Sequence, residues 1–197
     1  TIPEADDEAI VMSRSFVSQA SLLMRLGARL GNPAFAADLD AMPARWPETS
    51  PFIEQAYELA AASPSRLIVL GAGAALGIAN EAVLKVTETG QVPASAFHPL
   101  EFRHGPISVC EPGVIVVGVL GGPTEAEERR VVEEAAALGA TPFVLGSDGP
   151  GSGLHPTAQL PLKMHVLQAL AFGAAVERGL DLEAPRHLER VVVIEAK

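Results

Sequence analysis

Apolar residues change their rhythm once along this chain, at Ser63-Pro64-Ser65. Before that point they recur at helical intervals. Phe16, Ala20, Leu23 and Gly27 stand three or four apart, with Leu22, Leu26 and Leu30 beside them. The pattern predicts an amphipathic helix over residues 13–30, stopped by Gly31-Asn32-Pro33, and shorter helices over 33–42 and 51–62. Residues 1–62 therefore read as a helical linker and packing segment, with no cluster of catalytic side chains.

After Pro64, short apolar runs alternate with helical stretches. Residues 66–70, 93–97, 113–120, 141–145 and a short run at 159–162 read as strands, and 77–88, 123–138 and 162–178 as helices. A charged tail ends in a β-rich run at 191–194. This alternation predicts an α/β fold over residues 63–197: a doubly wound parallel sheet flanked by helices in three layers. Ligands of such sheets bind beyond the carboxyl ends of the strands, and the glycine turn starting at Gly71 falls at one such end.

Composition narrows the function classes. A chain of 197 residues, 48% of them hydrophobic, can bury the core of one domain. No apolar run reaches the roughly 18–20 residues of a bilayer span, so no membrane partner is expected. The single cysteine, Cys110, excludes an internal disulfide framework and fits a reducing cytoplasm. A net charge of −10 argues against nucleic acid as a partner. The carboxylates at 4–8 and 125–134 read as solvated faces.

The chemistry concentrates between Gly71 and Pro106. Helical spacing puts Glu81, Lys85 and Glu88 on one face, and Glu101, Arg103 and His104 follow just before Gly105-Pro106. Carboxylate, ammonium and imidazole together suit proton transfer on a small anionic substrate. A carboxylate such as Glu88 can move a proton between C1 and C2 of a sugar through an enediol, and an imidazole such as His104 can exchange one with the ring oxygen. The plain alternatives are an exposed helix end and a loop cap. Gly71 and Gly73 allow close ligand approach at a helix start, or simply make a tight turn. Their G-x-G-x-x-x-G spacing also admits a dinucleotide, but the acidic residue wanted about 20 positions on is missing, and no cofactor is expected. His98, Glu101 and His104 lie close in sequence, yet no H-E-x-x-H or C-x-x-C spacing supports a metal. Cys110 reads as a small packed hydrophobe.

Residues 67–111 and 181–192 resemble the sugar isomerase (SIS) domain family, most closely the second SIS half of the isomerase part of the glucosamine-6-phosphate synthases. That half carries A-x-E-G-A-L-K-L-K-E, and here Ala79-Asn80-Glu81-Ala82-Val83-Leu84-Lys85-Val86-Thr87-Glu88 stands in its place. Its G-E-L-K-H-G-P is matched by Leu100-Glu101-Phe102-Arg103-His104-Gly105-Pro106, with the same 16-residue step from Glu to His. Its tail, x-x-P-R-N-L-A-K-S-V-T-V, is matched from Glu183 to Ile194, and its linker G-V-A-S-T-K-A-F-T-T-Q from Ile10 to Gln19.

The resemblance implies Glu88 as enediol base, His104 as ring-opening group reaching the neighbouring subunit's site in a homodimer, and Lys85 near the sugar. It implies substrate contacts from Arg190, Glu189, Gly71, Gly73, Glu81, Ile10 and Met12. The expected ligand is a hexose or amino-hexose phosphate, for aldose–ketose isomerisation with or without deamination. A sugar-phosphate sensor is the alternative. Departures from the pattern are Arg190 for the tail lysine, Thr87 for the lysine before the base, and Met12 for a linker serine. The family's Ser/Thr-rich phosphate loop belongs to a first SIS half and has no counterpart here. With Thr1 where the inter-domain linker would begin, the chain reads as the C-terminal part of a two-SIS protein, with a shortened relative as the alternative.

Overall fold

The computed structural model describes Asp7 and residues 10–189. Helices α1 (Arg14–Gly31), α2 (Pro33–Ala41) and α3 (Ser50–Ala61) come first, with 3-10 turns over Met42–Thr49 between the last two. Then follow β1 (Arg66–Gly71), α4 (Ala74–Lys85), a π-helical turn over Val86–Gly90, β2 (Ala94–Phe97), α5 (Pro99–Arg103) and β3 (Val114–Val119). Helix α6 (Glu125–Ala137), β4 (Thr141–Leu145) and α7 (Leu160–Glu177) complete the order. The four strands are parallel and lie in the order β2-β1-β3-β4. Chain direction across the sheet reverses between β1 and β3, which is the doubly wound arrangement.

Both faces of the sheet are covered, so its central strands are apolar without interruption. Alternation divides them: Leu67, Val69, Ile115 and Val117 pack with α3, α4 and α7. Ile68, Leu70, Val114 and Val116 pack instead with Phe102 of α5 and Val131 and Val132 of α6. Helix α7 is apolar on nearly every side because it is sandwiched between α3 and α4, with Leu167, Leu170 and Ala174 buried. The helices before Pro64 thus share one core with the sheet through Ala56 and Ala60.

Several sequence expectations change. Residues 159–162 form no strand; Leu160-Pro161 opens α7, where proline's missing N–H costs nothing in a first helical turn. The leucines of α1 do not all turn inward: Phe16, Val17 and Met24 reach the core, while Leu22, Leu23, Leu26 and Leu30 are exposed. The carboxylates of α6 are only partly a solvated face. Glu128 is buried and accepts a hydrogen bond from the Thr124 hydroxyl at 2.6 Å. Glu125 accepts from the Ser147 amide at 3.0 Å and from Arg129 at 2.8 Å. Burial alone would raise the Glu125 pKa, but Ser147 and Arg129 outweigh it and hold the carboxyl below its usual range. Of the 4–8 run only Asp7 is described; it accepts from the amides of Ser13 and Ser15 at the start of α1. The 191–194 run lies outside the described residues. Cys110 packs beside Phe102, and burial pushes its thiol upward. No described helix is long and apolar enough to cross a membrane.

Candidate functional site

Helix α4 separates what the sequence places side by side. Its amino end follows the glycine turn at the carboxyl end of β1, and its carboxyl end carries Lys85. Twelve residues at about 1.5 Å each span about 18 Å, so Gly71 and Gly73 stand apart from Glu81, Lys85 and Glu88. Gly71 has a packing reason to be glycine: a Cβ there would sit 2.5 Å from the carbonyl oxygen of Ala75. Gly73, with φ +54°, caps α4 and lines a crevice of about 420 Å³ between the ends of β1 and β3. Ala72, Ala75, Gly121, Thr124, His155 and Thr157 also line it. Beneath Gly121, the buried Lys163 ammonium donates to the Leu120 carbonyl at 2.7 Å. Desolvation lowers its pKa to about 8, against the attraction of Glu125 and Asp148 and with help from Arg129.

At the other end of α4 the charged cluster is assembled. Lys85, 6% exposed, places Nζ 3.1 Å from Glu81 Oε1 and 3.4 Å from Glu88 Oε2. Glu81 reaches it by ordinary i, i+4 geometry. Glu88 reaches it at i, i+3, on a stretch where the backbone widens into a π turn after Lys85, a distortion frequent at functional sites. Gly90 lets this turn close onto α7; a Cβ at that position would meet the Ala174 Cβ at 2.9 Å. Arg178 at the end of α7 then holds the turn by donating to the Gln91 carbonyl at 2.7 Å and to that of Pro64 at 3.2 Å.

Two cavities flank the Lys85–Glu88 pair. One, of about 470 Å³, is lined by Val11, Ser13, Tyr57, Lys85, His165, Gln168 and Glu183 among others. The second, of about 380 Å³, lies between Thr87, Glu88, Pro93 and the tail residues Arg186, His187 and Leu188. Three segments far apart in sequence, the start of α1, the end of α4 and the tail, thus converge on one ion-paired lysine. The linker contacts differ from expectation: Val11 and Ser13 line the cavity, whereas Ile10 does not and Met12 is exposed. Glu189 is exposed and lines neither cavity, and Arg190 lies outside the described residues.

His104 stands elsewhere. It caps α5, on the sheet face opposite α4, and is exposed beside Arg103, which pairs with Glu134 of α6 at 2.7 Å. One copy of the chain therefore brings Glu81, Lys85 and Glu88 together but not Glu88 and His104. Sequence reasoning missed His165 and Gln168, whose i, i+3 spacing on a largely apolar helix was the available signal. Gln168 donates to the Ser13 carbonyl at 3.1 Å, fixing the linker against α7.

The family model of the SIS domain matches residues 60–173. The chain is 30% identical over 202 residues to a glutamine–fructose-6-phosphate aminotransferase (isomerizing) of Methanothermobacter thermautotrophicus, covering 94% of this chain and 34% of that protein. An aminotransferase of the same name from Pyrobaculum aerophilum is 36% identical over 138 residues, 64% of this chain and 23% of its own length. The chain thus spans about a third or less of these curated relatives. Among solved structures, glucosamine-6-phosphate deaminase of Thermotoga maritima superposes with TM-score 0.83 at 26% identity, over 97% of this chain and 60% of the other. Tagatose-6-phosphate ketose/aldose isomerase of Escherichia coli shares the fold, with TM-score 0.72 at 16% identity over 98% of this chain and 56% of the other.

Proposed function

The chain belongs to the SIS domain family, and from that premise we propose that it binds a hexose or amino-hexose phosphate at the Lys85 cluster and catalyses aldose–ketose isomerisation. The observation that carries this reading is the Glu81–Lys85–Glu88 cluster lying where linker and tail converge beside two cavities. Names of relatives that act on fructose 6-phosphate and glucosamine 6-phosphate support the substrate class.

Glu88 is the base in this reading. Its carboxylate takes the proton from C2 of the aldose; the C1–C2 double bond forms as the C1 carbonyl oxygen gains a proton. Returning a proton to C1 while the C2 oxygen becomes a carbonyl completes the transfer. Lys85 holds the carboxylate in place and offers positive charge to the developing enediolate oxygen. His104, on the opposite face, serves ring opening in the site of a second copy.

The test is exchange of the C2 hydrogen of glucosamine 6-phosphate, or of the C1 hydrogens of fructose 6-phosphate, with deuterium from solvent. Wild type exchanges and Glu88→Gln loses at least about a hundredfold, the usual scale of a general base; exchange that survives the substitution removes Glu88 from the role. A second reading, a sensor that binds without turnover, is favoured by the separation of Glu88 from His104 in one copy. Saturable binding of either sugar phosphate with no exchange in the wild type selects it.

A further inference from the structure

His165 is half-buried on α7, and its ring lies against Trp46, centroids 4.7 Å apart with the planes tilted by 36°. It borders the cavity beside Lys85 and also an adjoining one of about 490 Å³, lined by Ser13, Arg14, Met42, Trp46 and Gln168 among others. Among the described residues neither ring nitrogen makes a hydrogen bond, and neither is among the fully buried polar atoms, so both remain open to a partner from outside the chain. Burial depresses the imidazole pKa below 6.5, so the ring is neutral at neutral pH, with one donor and one acceptor. Trp46 packs against the ring and restricts its plane, so a wall residue shared by both cavities is ordered before a ligand arrives.

Charge decides what could meet them. Among the described residues the one ammonium bordering the nearer cavity, Lys85, is already shared between Glu81 and Glu88, and Glu183 adds a carboxylate at the wall. Arg14, at the adjoining cavity, pairs with Asp7 at 3.8 Å. Among the described residues a dianionic phosphate finds no spare positive charge at this wall, whereas hydroxyl and amino groups suit a neutral imidazole and surrounding carboxylates.

We propose that His165, steadied by Trp46, is a specificity-determining residue of the Lys85 cavity that hydrogen-bonds a hydroxyl or amino group on the carbon chain of the ligand, with the phosphate held outside this cavity. The inference rests on the sugar-phosphate reading above and adds the residue that reads the sugar and the end of the ligand that enters.

The test follows the histidine side-chain signals of the full chain by NMR, with His165 assigned through His165→Gln. Fructose 6-phosphate and glucosamine 6-phosphate are added separately, and inorganic phosphate is the control. Both sugars shift the His165 signals saturably, the larger affinity showing whether hydroxyl or amine is preferred, and inorganic phosphate leaves them in place. His165→Phe keeps the ring on Trp46 but removes both nitrogens, weakening sugar binding about tenfold by calorimetry. His165→Gln keeps a donor and an acceptor and retains affinity within about threefold. Sugar binding that Lys85→Met abolishes, but that leaves the His165 signals still and is indifferent to His165→Phe, overturns this inference alone. A saturable shift with inorganic phosphate overturns the placement of the phosphate. Absence of binding by either sugar overturns the sugar-phosphate reading and this inference together.

Discussion

Replacing Lys163 with methionine tests how the fold tolerates a charge at the end of its central strands. The side chain is fully buried, its ammonium donates to the Leu120 carbonyl, and its pKa falls from 10.5 to about 8. A lysine whose folded-state pKa lies below its unfolded value binds more protons when unfolded. Stability therefore rises with pH across the window from about 8 to 10.5, and the penalty is fully present below 8. At about 1.4 kcal/mol per pH unit the window amounts to about 3 kcal/mol. Methionine removes that penalty but leaves the Leu120 carbonyl unpaired, which costs about 1–3 kcal/mol. Lys163→Met is accordingly close to neutral at pH 7 and destabilised relative to wild type by about 2 kcal/mol near pH 10. Urea unfolding of both proteins at pH 7, 8.5 and 10 measures it, and the difference between them cancels every group the two proteins share. Parallel pH dependences for the two proteins would refute a buried, depressed ammonium at Lys163.

Other substitutions follow from contacts already described. Lys85→Met leaves two partly buried carboxylates facing each other and lowers stability by roughly 2–4 kcal/mol in urea unfolding; adding Glu81→Gln recovers at least half of the loss. Gly71→Ala drives a Cβ into the Ala75 carbonyl and costs roughly 1–3 kcal/mol. Gly77→Ala, exposed within α4 with nothing near the new methyl, instead stabilises by about 0.5–1 kcal/mol. Unfolding midpoints that move in the same direction for both glycines would contradict the packing reason given for Gly71.

The sheet was readable because its strands are buried on both faces, and a continuous run such as Val114–Val119 has few competing readings. The start of α7 was not: Gln159 to Leu162 alternates like a strand, and only contact with α3 and α4 settles it as helix. Within the site, Glu81, Lys85 and Glu88 were legible as one helical face, because their spacing fixes it. That the backbone widens into a π turn at Glu88 was announced by no residue pattern. Sequence nearness misled at Gly71 and Gly73, which a straight helix carries away from Lys85. The 16-residue step from Glu88 to His104 says nothing about which face of the sheet each will occupy. His165 showed in the sequence only as a polar i, i+3 pair with Gln168, and Trp46, which packs on its ring, meets it only after folding.

The placement of Glu88 and His104 on opposite faces of the sheet has a genetic consequence under the proposed reading. Each copy of the chain then contributes a base to one site and an imidazole to another, so no single copy owns a complete site. A lesion at Glu88 and a lesion at His104 belong to different halves of the machinery even though one gene encodes both. Two chains, each inactive by itself for one of these lesions, would restore an intact site when they meet, because the undamaged face of each can be completed by the other.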